Sequence, residues 1–349
     1  MTINKKNISR RHFIGSTVTA AAGLLITSGK NTGAPAFMKN FGKPDSLIRG
    51  VQIGVITYSY RSLPDQSTEA TLKYILDCGI SAIELMGDPA ESFAGKPEST
   101  VDRRAFFGLM RKVRNNETLT ENEQKQMSDL RAEMDAYGKK VADWRSKVSM
   151  DKYVKLKKMY TDAGVRIYAW KPDAFGVNNT DAEIDYGFKV ARMLGASHIT
   201  LEHPGNDAHT KKLAEMASQH KVYVAYHGHE QQTPTLWDTA LAQSEYNSLN
   251  LDLGHYVAAG NPDPLPLIQS IHGRIMSMHL KDRQDPEHGK ANLPWGAGNT
   301  PIAEALRLMR DRGFKFPGSI ELEYEIPEGS DAIKEVSRCL DFCRKALEA

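Results

Sequence analysis

Eight short apolar segments, at residues 52–60, 82–87, 166–171, 198–203, 222–229, 249–255, 275–281 and 318–324, alternate along the chain with amphipathic helical stretches. Most are rich in Val, Ile and Tyr, the composition of strands. Helical patterns fill the spaces, for example at 68–77, 181–194, 210–219, 264–272 and 302–312. Gly79, Gly164, Gly195 and Gly313 close helices ahead of the next strand, which is C-cap chemistry. Such alternation builds a parallel sheet, and eight repeats favour closure into a (β/α)8, or TIM, barrel over an open sheet. No G-x-G-x-x-G follows the first segment, which counts against a dinucleotide-binding unit.

Two stretches exceed what a plain barrel needs. Residues 88–163, between the second and third segments, are strongly charged and helix-forming where one helix would do. Thr120 and Glu123 there have the spacing of a capping box. Leu130, Met134, Tyr137, Val141 and Trp144 recur at helical steps and should share one face. A solvated helical insertion is the plain expectation; a lid or an oligomer contact near the barrel mouth is the sharper one. The other stretch is the loop at 282–300, after the seventh strand. Its Trp295 is expected either to wall a sugar ring or to pack the loop down.

Residues 1–36 read as an address and are set apart from the barrel at 37–349. Ser9-Arg10-Arg11-His12-Phe13-Ile14 resembles the twin-arginine export signal, a low-charge apolar stretch follows, and Ala34-Pro35-Ala36 suits cleavage. The expected location is the periplasm, with no stable membrane insertion once the signal is removed. The signal also carries five cations and no acid, so the overall charge of +2 becomes −3 without it. A surface of that balance has no basic surplus for nucleic acid. Cys78, Cys339 and Cys343 contain no CxxC pair and read as small buried hydrophobes.

Four segments end on a metal-ligand type of residue: His227, Asp252, His279 and Glu323, at gaps of 25, 27 and 44 residues. Two imidazoles and two carboxylates suit a divalent cation. In a barrel all such strand ends meet on the face where chemistry sits. His255 stands three residues after Asp252 and points into the same region. Ser277, His279 and Lys281 share a side by strand alternation, as do Glu321, Glu323 and Glu325. Glu323, the middle glutamate, is the expected ligand of that set. His227 and His229 also share a side, and only one need bind metal. Glu202 has three readings: a fifth ligand, a base, or a hydrogen-bond acceptor.

Leu251-Asp252-Leu253-Gly254-His255, Met278-His279-Leu280-Lys281-Asp282 and Ile320-Glu321-Leu322-Glu323-Tyr324-Glu325 give the chain its resemblance to the xylose isomerase-like TIM-barrel superfamily, the sugar phosphate isomerase/epimerase group. The resemblance runs from about residue 51 to the C-terminus. It implies a metal held by Glu, Asp, His and Glu at four strand ends, with Asp252, His279 and Glu323 matching the last three. Tyr226-His227-Gly228-His229 stands where the first Glu would be, so His227 takes the vacated place. The implied metal is manganese, with magnesium, cobalt or zinc as alternatives. The implied chemistry is proton abstraction beside a carbonyl through a metal-stabilised enediolate. Glu323, Glu202, His229 and Lys171 are the expected proton-transfer or charge-stabilising groups. His255, Lys281, Trp295, Trp170 and Glu84 are expected around the substrate. Export favours a non-phosphorylated sugar over a sugar phosphate. The leading expectation is a sugar isomerase or epimerase. A keto-sugar (3-keto-glycoside) lyase or hydratase is the runner-up, and a non-catalytic sugar-binding barrel the alternative from another class. The partner is a small carbohydrate, with a homo-oligomer also allowed.

Overall fold

The computed structural model describes residues 43–349, and the expected export signal lies outside them. Eight parallel strands form the frame: β1 (Val51–Ile56), β2 (Ala82–Met86), β3 (Arg166–Lys171), β4 (His198–Glu202), β5 (Tyr223–His227), β6 (Asn247–Asp252), β7 (Ile275–Leu280) and β8 (Gly318–Ile320). Each pairs with its sequence neighbour, and β8 pairs with both β7 and β1, so the sheet closes into a barrel. Helices cover the outside. Gly195 and Gly313 cap two of them in the left-handed conformation, at φ 78° and 66°. Among the described residues, no helix is long and apolar enough to cross a membrane.

After α1 (Thr68–Asp77), four helices separate β2 from β3: α2 (Gly87–Phe93), α3 (Arg103–Arg114), α4 (Glu121–Lys147) and α5 (Asp151–Asp162). Thr120 and Glu123 form both halves of a capping box at the start of α4. The apolar face of α4 is used within the chain. Leu130 joins Leu109 and Met127 in a small cluster with α3. Trp144 meets Tyr186 of α6 (Asp181–Leu194) edge-on at 6.1 Å. Arg145 clamps the C-terminal end of α4 to the barrel, reaching Glu91 of α2 at 2.9 Å and Glu183 of α6 at 3.0 Å.

The barrel interior departs from the usual layers of Val, Ile and Leu. Glu84, His198, Asn250, Ser277 and His279 are all buried, and they bond between strands that are not neighbours in the sheet. Such bonds can only cross the inside. Near the floor, Gly54 leaves room for the Tyr168 ring; a Cβ there would stand 2.7 Å from Tyr168 Cε1. Gly54→Ala is therefore expected to cost about 1–3 kcal/mol by overpacking. Denaturant unfolding measures this, and an unchanged midpoint would show that the ring shifts freely.

Candidate metal and catalytic centre

The aligned ends of β5, β6 and β7 bring three donor atoms within one metal's reach, and Glu321, just beyond β8, lies beside them. His227 Nε2 lies 3.9 Å from Asp252 Oδ2, and His279 Nδ1 lies 3.8 Å from the same oxygen. Glu321 Oε2 borders the group, 2.9 Å from His279 Nδ1 and 2.7 Å from Lys281 Nζ. The local sequence explains how Asp252 is presented. It ends β6 and caps the short helix Leu253–Ala258, where its Oδ1 accepts the His255 backbone N–H at 2.7 Å. That leaves Oδ2 turned inward, buried and without a hydrogen-bond partner. Lys281 Nζ approaches it at 3.0 Å as an ionic contact, outside hydrogen-bonding geometry. A second group, His227, His229 and His255, also brings three ring nitrogens within one metal's reach, closer to solvent.

The electrostatics are those of a site built for charge. Burial, aided by Lys171 and His279, drives the His227 imidazole well below its usual range, so it is neutral. Burial opposes protonation of His279, but Glu321 and Glu84 outweigh it and raise the ring to about 10. Burial raises Asp252, against Lys281 and with Glu321, to about 6. Glu321 would rise on burial too, yet Lys281 and His279 hold it well below the usual carboxylate range. Lys281 is raised because Asp252, Glu321 and Glu323 overcome its desolvation.

The expected site residues fall into distinct places. His227, Asp252 and His279 share the centre. Glu323, expected beside them, lies one step further out, with its Oε2 2.7 Å from Lys281 Nζ. Glu321 takes the inner position. Alternation put Glu321 and Glu323 on one side, as both meet Lys281, but could not set their depth, because β8 ends at Ile320. Lys171 and Glu202 pair at 2.7 Å on the wall formed by β3 and β4, and His229 Nε2 lies 3.4 Å from Glu202. His255 is half-buried, 4.5 Å from the His229 ring centre, and accepts from Arg283 at Nδ1. Burial, with Lys281, His229 and Arg283 nearby, pushes its pKa down to about 2.

Three expected substrate contacts are corrected. Trp170 is fully buried on the outer side of β3, 6.4 Å from Tyr153 of α5, because Lys171 takes the inward position next to it. Trp295 packs edge-on against Phe342 of the C-terminal helix Ala332–Glu348 at 5.7 Å. Its loop is pinned by Asp282, which accepts the backbone N–H groups of Gly296, Gly298 and Thr300. Glu84 is fully buried beneath the histidines, 2.8 Å from His279 Nε2. Sequence reasoning missed Asn250, which bonds His227 Nδ1 at 2.8 Å, and Arg283, which ties His255 to Glu230. A signal for Asn250 existed: two residues before Asp252, it shares that residue's side of the strand.

The family model for the Xylose isomerase-like TIM barrel matches residues 131–345, more than half of the chain, and the protein belongs to that family. No curated protein matches the chain. Similar solved structures include a sugar phosphate isomerase/epimerase from Parabacteroides distasonis, at 16% identity and TM-score 0.53, covering 84% of this chain and 93% of that one. An L-ribulose 3-epimerase has 16% identity and TM-score 0.54, covering 85% and 95%. The IOLI protein, crystallised with a zinc atom, has 14% identity and TM-score 0.53, covering 85% and 96%. At these identities the likeness is one of fold.

Proposed function

We propose that the protein is a metal-dependent isomerase or epimerase of a non-phosphorylated sugar, exported to the periplasm. The observation that carries this reading is the convergence of His227 Nε2, Asp252 Oδ2 and His279 Nδ1 at the barrel mouth, with Glu321 beside His279. The residues fit a divalent cation: a buried carboxylate oxygen lacks a hydrogen-bond partner, and a mixed N/O donor set suits manganese, magnesium, cobalt or zinc. When bound, such a cation supplies Lewis acidity to a carbonyl oxygen.

The chain's own groups would handle the protons. In a closed eight-stranded barrel β4 and β8 stand opposite one another. Glu202 at the end of β4 and Glu323 beyond β8 therefore face each other across the mouth, each held by a lysine at 2.7 Å. One carboxylate can take a proton from a carbon beside the carbonyl while the other returns it from the opposite side. Lys171 and Lys281 offset the charge that develops. His229, half-exposed beside Glu202, is placed to pass protons to solvent. Charge pairing supports the reading of a neutral substrate: among the described residues of the mouth, Lys171, Lys281, Arg283 and Lys290 are each paired with a carboxylate. Arg61, just beyond β1, is not paired in this way: its guanidinium donates to the Leu322 carbonyl at 2.6 Å.

The test is to load the chain with Mn2+ and incubate it in heavy water with aldoses, ketoses and 3-keto-glycosides. Deuterium is expected at a carbon next to the carbonyl. Release of an aglycone instead would favour elimination, and no exchange with any sugar would sink the enzymatic reading. Binding itself has a proton signature. His279 is protonated up to about pH 10, so a cation at its Nδ1 must displace a proton. Metal uptake at pH 7 is expected to release about one proton, and affinity to rise with pH until about 10. Calorimetry in buffers of different ionisation enthalpy measures this; no buffer dependence would count against His279 as a ligand.

A further inference from the structure

A histidine can hold a cation only through an unprotonated ring nitrogen, and its other nitrogen's partner decides which one that is. In neutral His227 two acceptors compete for a single proton. Asn250 Oδ1 lies 2.8 Å from Nδ1, and Asp252 Oδ2 lies 3.9 Å from Nε2. A proton on Nε2 would point at Asp252 Oδ2, beyond hydrogen-bonding distance, and close the centre. A proton on Nδ1 leaves the Nε2 lone pair facing it.

The far end of Asn250 resolves the competition. Its Nδ2 lies 2.7 Å from Ser277 Oγ and 3.4 Å from Glu84 Oε2. A carboxylate oxygen only accepts, so the NH2 end faces Glu84 and the carbonyl end faces His227. The same Glu84 oxygen accepts from His279 Nε2 at 2.8 Å, which turns His279 Nδ1 toward Asp252 and Glu321. Below Asn250 the direction continues. Ser277, having accepted from Asn250, donates to His198 Nε2 at 3.0 Å. His198 Nδ1 then donates to Ser197 Oγ at 2.9 Å, and Ser197 donates to the Tyr168 carbonyl at 3.1 Å. Every link points from the centre to the barrel floor.

We propose that Glu84 is a positioning residue that fixes the tautomers of both histidines, His279 directly and His227 through Asn250, so that Nδ1 of one and Nε2 of the other face the same cation. This rests on the metal reading above, but its main test does not need a metal. Nitrogen NMR of histidine-labelled, chelator-treated full chain should show His227 protonated at Nδ1. Asn250→Leu removes the acceptor; Nε2–H should appear and Zn2+ affinity should fall 10–100-fold, the usual cost of losing an outer-shell partner. Asn250→Asp keeps an oxygen toward His227 and should keep the tautomer, although its second oxygen then meets the Glu84 carboxylate and lowers stability. Glu84→Gln frees the Asn250 amide to turn and should show both tautomers. Wild-type His227 protonated at Nε2 would overturn the proposal. So would an unchanged His227 tautomer in Asn250→Leu, which would mark a packing role. If Asn250→Leu fails to fold, the near-isosteric Asp and Gln variants still decide through the tautomer signal. A chain that binds no cation yet shows His227 protonated at Nδ1 would refute the metal reading and leave this one standing.

Discussion

Asp252→Asn is expected to leave the purified protein without its cation, with Mn2+ or Zn2+ affinity lowered roughly 100-fold or more, beyond the usual effect of an outer-shell change. The amide matches the carboxylate in shape, and its oxygen can still cap the helix Leu253–Ala258 through the His255 N–H. What changes is Oδ2, the atom 3.8–3.9 Å from both histidine donors. Replaced by NH2, it can no longer ligate. Sugar turnover in heavy water should disappear with the metal. Metal analysis after dialysis, beside a melting curve, separates loss of the site from loss of the fold. Full metal content in this variant would show that the ion sits elsewhere, and the histidine group His227, His229 and His255 would be the first place to look.

Arg145→Met should produce the largest loss of stability, about 3–5 kcal/mol, because it strands a buried carboxylate. The Glu91 side chain is only 2% exposed, and it also receives the Tyr186 hydroxyl at 3.2 Å. Lys96, 3.3 Å away, offers partial compensation, which favours the lower end of that range. Adding Glu91→Leu should recover much of the loss, since it removes the stranded charge. Denaturant unfolding of the single and double variants checks both. A loss under about 1 kcal/mol in Arg145→Met would mean that α4 is held mainly by Leu130 and Trp144.

The barrel was legible because its signals are local and repeated. Strand composition, helix periodicity and glycine caps recur from one unit to the next, and each is read within a few residues. The same holds for Thr120 with Glu123. The site was legible only as far as alternation reaches. Two-residue steps grouped His279 with Lys281, and Glu321 with Glu323, on the correct side. Depth was not encoded that way: it depends on where β8 leaves the ladder, which is set by pairing with β1 and β7. Trp170 and Trp295 were misplaced for a related reason. Aromatic residues near a strand end serve a core as readily as a ligand, and only the neighbours, Tyr153 and Phe342, decide between them. Glu84 and Asn250 were hardest to assign, because their partners are 195 and 23 residues away in the chain.

A polar barrel floor also restricts how the site can change over generations. A glutamate in place of His227 would set an acceptor against the Asn250 carbonyl oxygen, where the ring now donates across 2.8 Å. Turning the amide would relieve that repulsion only by setting the same oxygen toward the Glu84 carboxylate. Positions 84, 227 and 250 are thus expected to be coupled, so that a substitution at one changes which residues suit the others. On this geometry, replacing the histidine at 227 calls for a matching change at 250 or 84.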